Sequence, residues 1–184
     1  MTEILLGSIL VPDMANPRPE DVDQQFMAYR MATIRRFSGH PSALFLDEHH
    51  QLTGLVAERM GLPREAVVWA RLHDCHEFAT GDLTRPLQKV IAPVGLEPLQ
   101  ARWDVAICSA LGVPAPTTQV RAWVSVADTV AMAMEWRFCL GRDLAELKVT
   151  RQVSLLAEQR DLLDEVLCPA RREEISYGHV LLGR

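Results

Sequence analysis

The chain has no excess of positive charge: 19 lysines and arginines stand against 24 aspartates and glutamates, for a formal net charge of -5. That balance excludes a broad electrostatic attraction to nucleic acid or to an anionic membrane, so any phosphate site must be a local basic pocket. Paired cysteines are missing too. Cys75, Cys108, Cys139 and Cys168 lie far apart and form no CxxC spacing, which excludes a zinc ribbon and a disulfide framework and predicts buried thiols in a reducing compartment. The opening "MTEILLGSILVPD" has a short apolar run without a basic n-region, and no segment reaches the roughly 18 apolar residues of a membrane span. A cytoplasmic chain without membrane contact is expected. There is no internal repeat and no low-complexity tract. What is present is 184 residues, 48% hydrophobic and 23% charged, enough for one domain with a real core and without sign of a second.

Past residue 18 the punctuation is regular, with Gly39, Pro41, Gly61, Pro63, Gly81, Pro86, Gly95, Pro98, Gly112, Pro114, Gly141 and Pro169 separating segments of helical length. Helices joined by short loops follow, and the expected fold is all-α. A helical stripe runs between Val22 and Phe37, with acidic residues at its start and Arg35 and Arg36 at its end, matching the macrodipole. Asp47 caps a second helix, and a third starts near Pro63 and carries Val67, Val68, Trp69 and Leu72 into "LHDCHEFATGD", residues 72 to 82. Later helices are expected over about 98–111, 117–140 and 151–167, with the core at about 20–140 and a C-terminal helix and tail over 141–184. "ILLGSILV" reads as a small hairpin or an ordered arm.

The ionisable groups at 72–82 interrupt an otherwise apolar element. On a helix His73, Asp74 and Glu77 address one side. A solvated face with a satisfied histidine is the plain reading of one His-Asp dipeptide. Residues 67–72, however, are apolar apart from Arg71, and unpaired carboxylates are costly to bury without a cation. Two other places offer partners: "LDEHHQLTGLVAERM" sets His49 and His50 at a helix start, and "VSVADTVAMAMEWR" sets Asp128 alone in an apolar helix. His49, His73, Asp74 and Asp128 together would make an N2O2 site for a first-row divalent metal with open positions for water; scattered caps and core polar residues are the alternative.

The order "EH" (Glu48, His49), "HD" (His73, Asp74), Glu77, Asp82 and "AD" (Ala127, Asp128) resembles the HD-domain phosphohydrolase superfamily, most closely the small bacterial and phage HD hydrolases similar to 5'-deoxynucleotidases. The likeness takes in "RRFSGH" at 35–40, "TGDLTRP" at 80–86 and "EWR" at 135–137, and so spans about residues 30 to 140. It implies an all-helical HD bundle, with His49, His73, Asp74 and Asp128 as ligands of one divalent ion (Mn, Co, Zn, Ni, Fe or Mg). Glu77 would be the acid or base, with Asp82 holding Glu77 or a water in place. The implied substrate is a nucleotide, in particular a deoxynucleotide, cleaved at a 5'-monophosphate ester or, as in phage dATP triphosphohydrolases, with release of triphosphate.

Departures from that pattern bear on substrate. Relatives often carry lysines where this chain has Gln88 and Ser125. Lys89 would point roughly 100° away from position 88 on a helix, so Arg36, His40, Arg85, Lys89 and Arg137 are the candidate phosphate contacts, the guanidinium being suited to bidentate binding. His50 replaces a usual small serine, and an exposed position is expected for it. His76 beside Cys75 suggests a second metal pair, but neighbours on a helix face different ways and the spacing is not HExxH. Glu135, two turns past Asp128, either orients a ligand or pairs with Arg137. Trp69, Trp103, Trp123 and Trp136 are read mostly as core, with one able to stack on a base. His179 in "RREEISYGHV" carries no reading. The rival to an enzyme is a metal-stabilised binding or regulatory module that has lost turnover with the two lysines; a helical nucleic-acid binder is disfavoured by the acidic balance. A homo-oligomer is compatible with either.

Overall fold

In a computed structural model of the chain, residues 2–91 and 95–168 are described; Pro169 and the tail holding His179 lie outside them. An antiparallel hairpin, β1 (Ile4–Leu6) and β2 (Ile9–Val11), pairs Leu6 with Ile9 across Gly7, whose φ of +62° suits a residue without a Cβ. The elements that follow among the described residues are helical: α1 (Gln24–Met31), a single turn α2 (Arg36–Gly39), α3 (Leu46–Arg59), α4 (Arg64–Ala70), α5 (Glu77–Thr80), α6 (Arg85–Ile91), α7 (Leu96–Ala110), α8 (Thr118–Met134), α9 (Arg151–Ala157) and α10 (Arg160–Leu167). The fold is all-α with a short N-terminal hairpin arm.

Several expected helices are shorter than their hydrophobic stripe suggested. The stripe over 22–37 gives α1 alone, capped by the Asp23 side chain accepting from the Phe26 N–H; past it, Phe37 and Ser38 take left-handed backbone with φ of 51° and 54°. Asp47 is not a cap: α3 begins one residue earlier, and the Glu48 carboxylate accepts from the Phe45 N–H at 2.9 Å. Residues 151–167 form two helices rather than one, and 117–140 divides into α8 and a π-helical turn, Glu135–Cys139.

α3 is the central helix, packed against α4, α8 and α10, while α9 lies along α8. The core extends beyond 20–140, because Leu6, Val11, Val153, Leu162, Leu163 and Val166 belong to the same buried cluster as Leu52, Trp103 and Met134. Cys75 and Cys108 are buried free thiols as expected, but Cys139 is half-buried and Cys168 exposed. Trp69 and Trp103 are core; Trp123 and Trp136 are half-buried. Among the described residues no helix is long and apolar enough to cross a membrane.

Candidate metal centre and its cavity

Position 49 is in the first turns of α3, and the helices packed on three sides of α3 leave both His49 and His50 buried. The expected exposure of His50 is therefore not found. Its Nδ1 lies 4.0 Å from Cys75 Sγ, and burial pushes its pKa well down, so it is a neutral imidazole in the core.

His73 and Asp74 do not continue a helix from Pro63. α4 stops at Ala70, and residues 71–76 run as successive tight turns, with the Leu72 N–H donating to Trp69 O and the Cys75 N–H to Leu72 O, each at 2.9 Å. Three residues per turn superimposes positions i and i+3. Leu72, Cys75 and Phe78 enter the core together, while His73 faces the rings of His49 and His50 and His76 turns to Asp104. Asp128 comes from the middle of α8, whose N-terminus is capped by Thr117.

These segments bring the four expected ligands together. His49 Nε2 is 3.1 Å from Asp128 Oδ1; His73 Nε2 is 3.2 Å from Asp74 Oδ2 and 3.7 Å from Asp128 Oδ1. His49, His73 and Asp74 each offer a ligand atom within 4.8 Å of the other two, and Asp128 joins them through both imidazoles. The tautomer of His73 is fixed, since its Nδ1 lies 2.8 Å from the Ala70 carbonyl and must donate there. Its buried Nε2 then turns a lone pair toward two carboxylates and has no hydrogen-bond partner. Both ring nitrogens of His49 also face carboxylates, Nδ1 lying 3.5 Å from Glu135 Oε2. Such an arrangement is unfavourable unless a cation sits among the four groups. A proton is one answer: burial opposes charge on His73, but Asp74 and Asp128 outweigh it and raise its pKa well above the ordinary value. A divalent metal is the other, and the donor set fits it.

The surrounding carboxylates separate by environment. Burial works against ionising Asp74 and Asp128, yet the facing imidazoles hold both well below the usual range. Glu77 goes the opposite way: burial, then Asp74 and Asp82, raise its pKa well above that of an ordinary glutamate. Asp82 is also raised, by burial above all. Glu77 Oε2 and Asp82 Oδ2 are buried without hydrogen-bond partners. Glu135, fully buried, accepts from Arg36 Nε and from the Leu44 N–H, both at 3.0 Å, and faces His49 Nδ1; Arg137 is not its partner but lies against Glu158.

A cavity of about 770 Å³ opens over this cluster. Asp74, Glu77, Asp82, Asp128 and Glu146 line it, against Arg36, Arg85 and Lys89 as the only cations in its wall among the described residues. Arg36 is half-buried and pinned between Glu135 and Asp74, 3.8 Å away; Arg85, half-exposed, donates to Asp128 Oδ2 at 2.8 Å. Gln88 and Lys89 both face the cavity, so the turn of α6 does not separate them as expected. His40 is exposed and outside the wall, its Nδ1 accepting from the Ser42 N–H. Arg137 is outside it as well, 3.1 Å from Glu158. Phe37, Met132, Trp136 and Leu147 add apolar lining that no charge pattern announces, and Ser38 lies in the wall beside Phe37. Asp104 is a site neighbour that the sequence does not single out, since α7 also carries Glu97 and Arg102; it is buried against His76 Nδ1 at 2.9 Å.

No family model matches the chain. An uncharacterized protein of Rhodobacter capsulatus is 29% identical to it over 141 residues, which cover 73% of this chain and 71% of that protein.

Proposed function

We propose that the protein is a divalent-metal-dependent phosphohydrolase of nucleotides, deoxynucleotides in particular, built on an HD-type centre. The observation that carries the reading is the orphaned Nε2 of His73, aimed at two carboxylates in a buried N2O2 set. The ordered motifs from Glu48 to Asp128 add the resemblance to HD phosphohydrolases. A bound divalent cation supplies Lewis acidity, polarising a phosphoryl oxygen and acidifying a water.

The chain's own residues divide the remaining work. Glu77, its pKa raised by burial and two neighbouring carboxylates, exchanges a proton with the attacking water or the leaving oxygen. Asp82, with its buried unpartnered oxygen, keeps Glu77 or a water in place. Arg36, Arg85 and Lys89 offset phosphate charge as it develops, and Phe37 and Trp136, with ring centroids 6.0 Å apart, give a base an aromatic wall.

A metal-stabilised binding module without turnover is favoured by one observation: two of the three wall cations, Arg36 and Arg85, already pair with carboxylates. Glu77 favours the enzyme, since a binding module has no use for a carboxyl group set to move protons. Purified protein incubated with nucleoside mono-, di- and triphosphates and added Mn, Co, Zn or Mg, with products resolved by chromatography, tests the proposal. Hydrolysis of at least one nucleotide is expected; metal binding without any hydrolysis would give way to the binding module.

A further inference from the structure

We infer that Gly54 and Arg71 are positioning residues of the N2O2 centre: Arg71 seats in a notch that Gly54 leaves in α3, and that seat aims His73 and Asp74. The inference rests on the N2O2 reading proposed above.

Gly54 is buried in the middle of α3, where glycine is a poor helix residue. A Cβ built there would lie 2.6 Å from Arg71 Nε and 2.7 Å from Arg71 Cγ, about 1 Å inside ordinary contact. The missing side chain is the space through which Arg71 crosses the helix. One turn further along the same face, Glu58 Oε1 accepts from Arg71 Nη2 at 2.8 Å. One turn back stands His50, its ring centroid 5.2 Å from that of His73 and its Nδ1 4.0 Å from Cys75 Sγ. His50, Gly54 and Glu58 thus form one stripe of α3, and each receives a residue of the segment 71–76.

Arg71 opens that segment, and the ligands follow within three residues. Its N–H donates to the Val67 and Val68 carbonyls, and the Ala70 carbonyl just before it accepts from His73 Nδ1 at 2.8 Å. A shift of the backbone at Arg71 therefore moves the group that sets the direction of His73 Nε2. A side chain at position 54 forces such a shift, because it meets Arg71 at Cγ, close to the backbone; turning the arginine aside frees Cγ only by giving up Glu58. His49, fixed on α3 beside His50, stays in place, so the two imidazoles lose their common focus.

The test is titration of the full chain with Co(II), followed by visible d–d absorption, whose position and intensity report ligand geometry. Gly54→Ala should weaken Co binding by about 10-fold and alter the band, and Arg71→Ala should do the same by unseating the turn. The two changes combined should be no worse than Arg71→Ala alone, since the collision needs both residues. Losses that simply add overturn the inference, as does a Gly54→Ala protein with wild-type affinity and band, whatever its melting temperature. If Gly54→Ala does not fold, Arg71→Ala decides, at a side chain 28% exposed: an unchanged band there overturns the inference and leaves the N2O2 centre standing. No Co binding by the wild type overturns both.

Discussion

Asp128 and Glu135 sit two turns apart on the same continuous helical segment, and both reach His49. Their partners differ in kind. Glu135 is fully buried and is satisfied by groups of the fold: the half-buried Arg36, a backbone N–H and an imidazole. Asp128 keeps an outlet to the cavity, and the arginine that pairs with it among the described residues is Arg85, 54% exposed. A carboxylate answered wholly from within holds structure. One answered by a removable partner is built to receive something.

Breaking the Asp128 side should have the largest effect. Asp128→Ala or His73→Ala should strip the ion, abolish hydrolysis and lower thermal stability, because the ligand-linked part, about 2.7 kcal/mol at a hundredfold excess of metal over Kd, disappears. Plasma emission and a melting curve with and without metal check it; unchanged stoichiometry in both variants would remove the four-ligand centre. Next in size, Glu77→Ala should keep the ion in the N2O2 centre and lose turnover by about 100- to 10,000-fold, and full activity would assign the proton transfer elsewhere.

On the Glu135 side the expected loss is one of aim. Glu135→Gln keeps an acceptor for the Leu44 N–H but removes the charge that holds His49 and Arg36, and metal affinity should fall by about 10- to 100-fold with the fold intact. An unchanged affinity would reduce Glu135 to packing. A proton count sharpens the same contrast. His73 carries a proton in the metal-free state because its folded pKa is raised, so near neutral pH the ion should displace about one proton, and affinity should weaken as pH falls. Calorimetry in buffers of different ionisation enthalpy reads that number; zero would mean His73 binds already neutral. The smallest effect belongs to Arg85→Ala: removing a competitor for Asp128 should tighten metal binding by less than about fivefold, as for a half-exposed ion pair, while raising KM. Weaker metal binding would make Arg85 a support of the centre instead.

Much of this was legible in the chain. Asp128 announced itself because one carboxylate in an apolar helix has few explanations, and the helical fold followed from regular punctuation. What escaped depended on packing. His50 is buried because α3 is covered on three sides, which no single-face periodicity expresses. The segment 71–76 runs as tight turns instead of continuing the helix from Pro63, and His76, read only beside Cys75, stands with Asp74 and Glu77. Arg137 followed Glu135 into a π-helical turn, whose wider winding changes the direction of each later side chain, and it faces Glu158.

The left-handed turn at Phe37 and Ser38 has an evolutionary consequence. Neither residue is glycine, and holding each in that conformation costs about 1–2 kcal/mol, yet both border the cavity beside Arg36. Glycine at either position would relax the backbone, so a population selected only for heat resistance should drift toward it. Selection for activity should resist the same change, because a loosened turn no longer aims Arg36 or presents the Phe37 ring. Positions 37 and 38 are where those two pressures would pull descendants of this sequence apart.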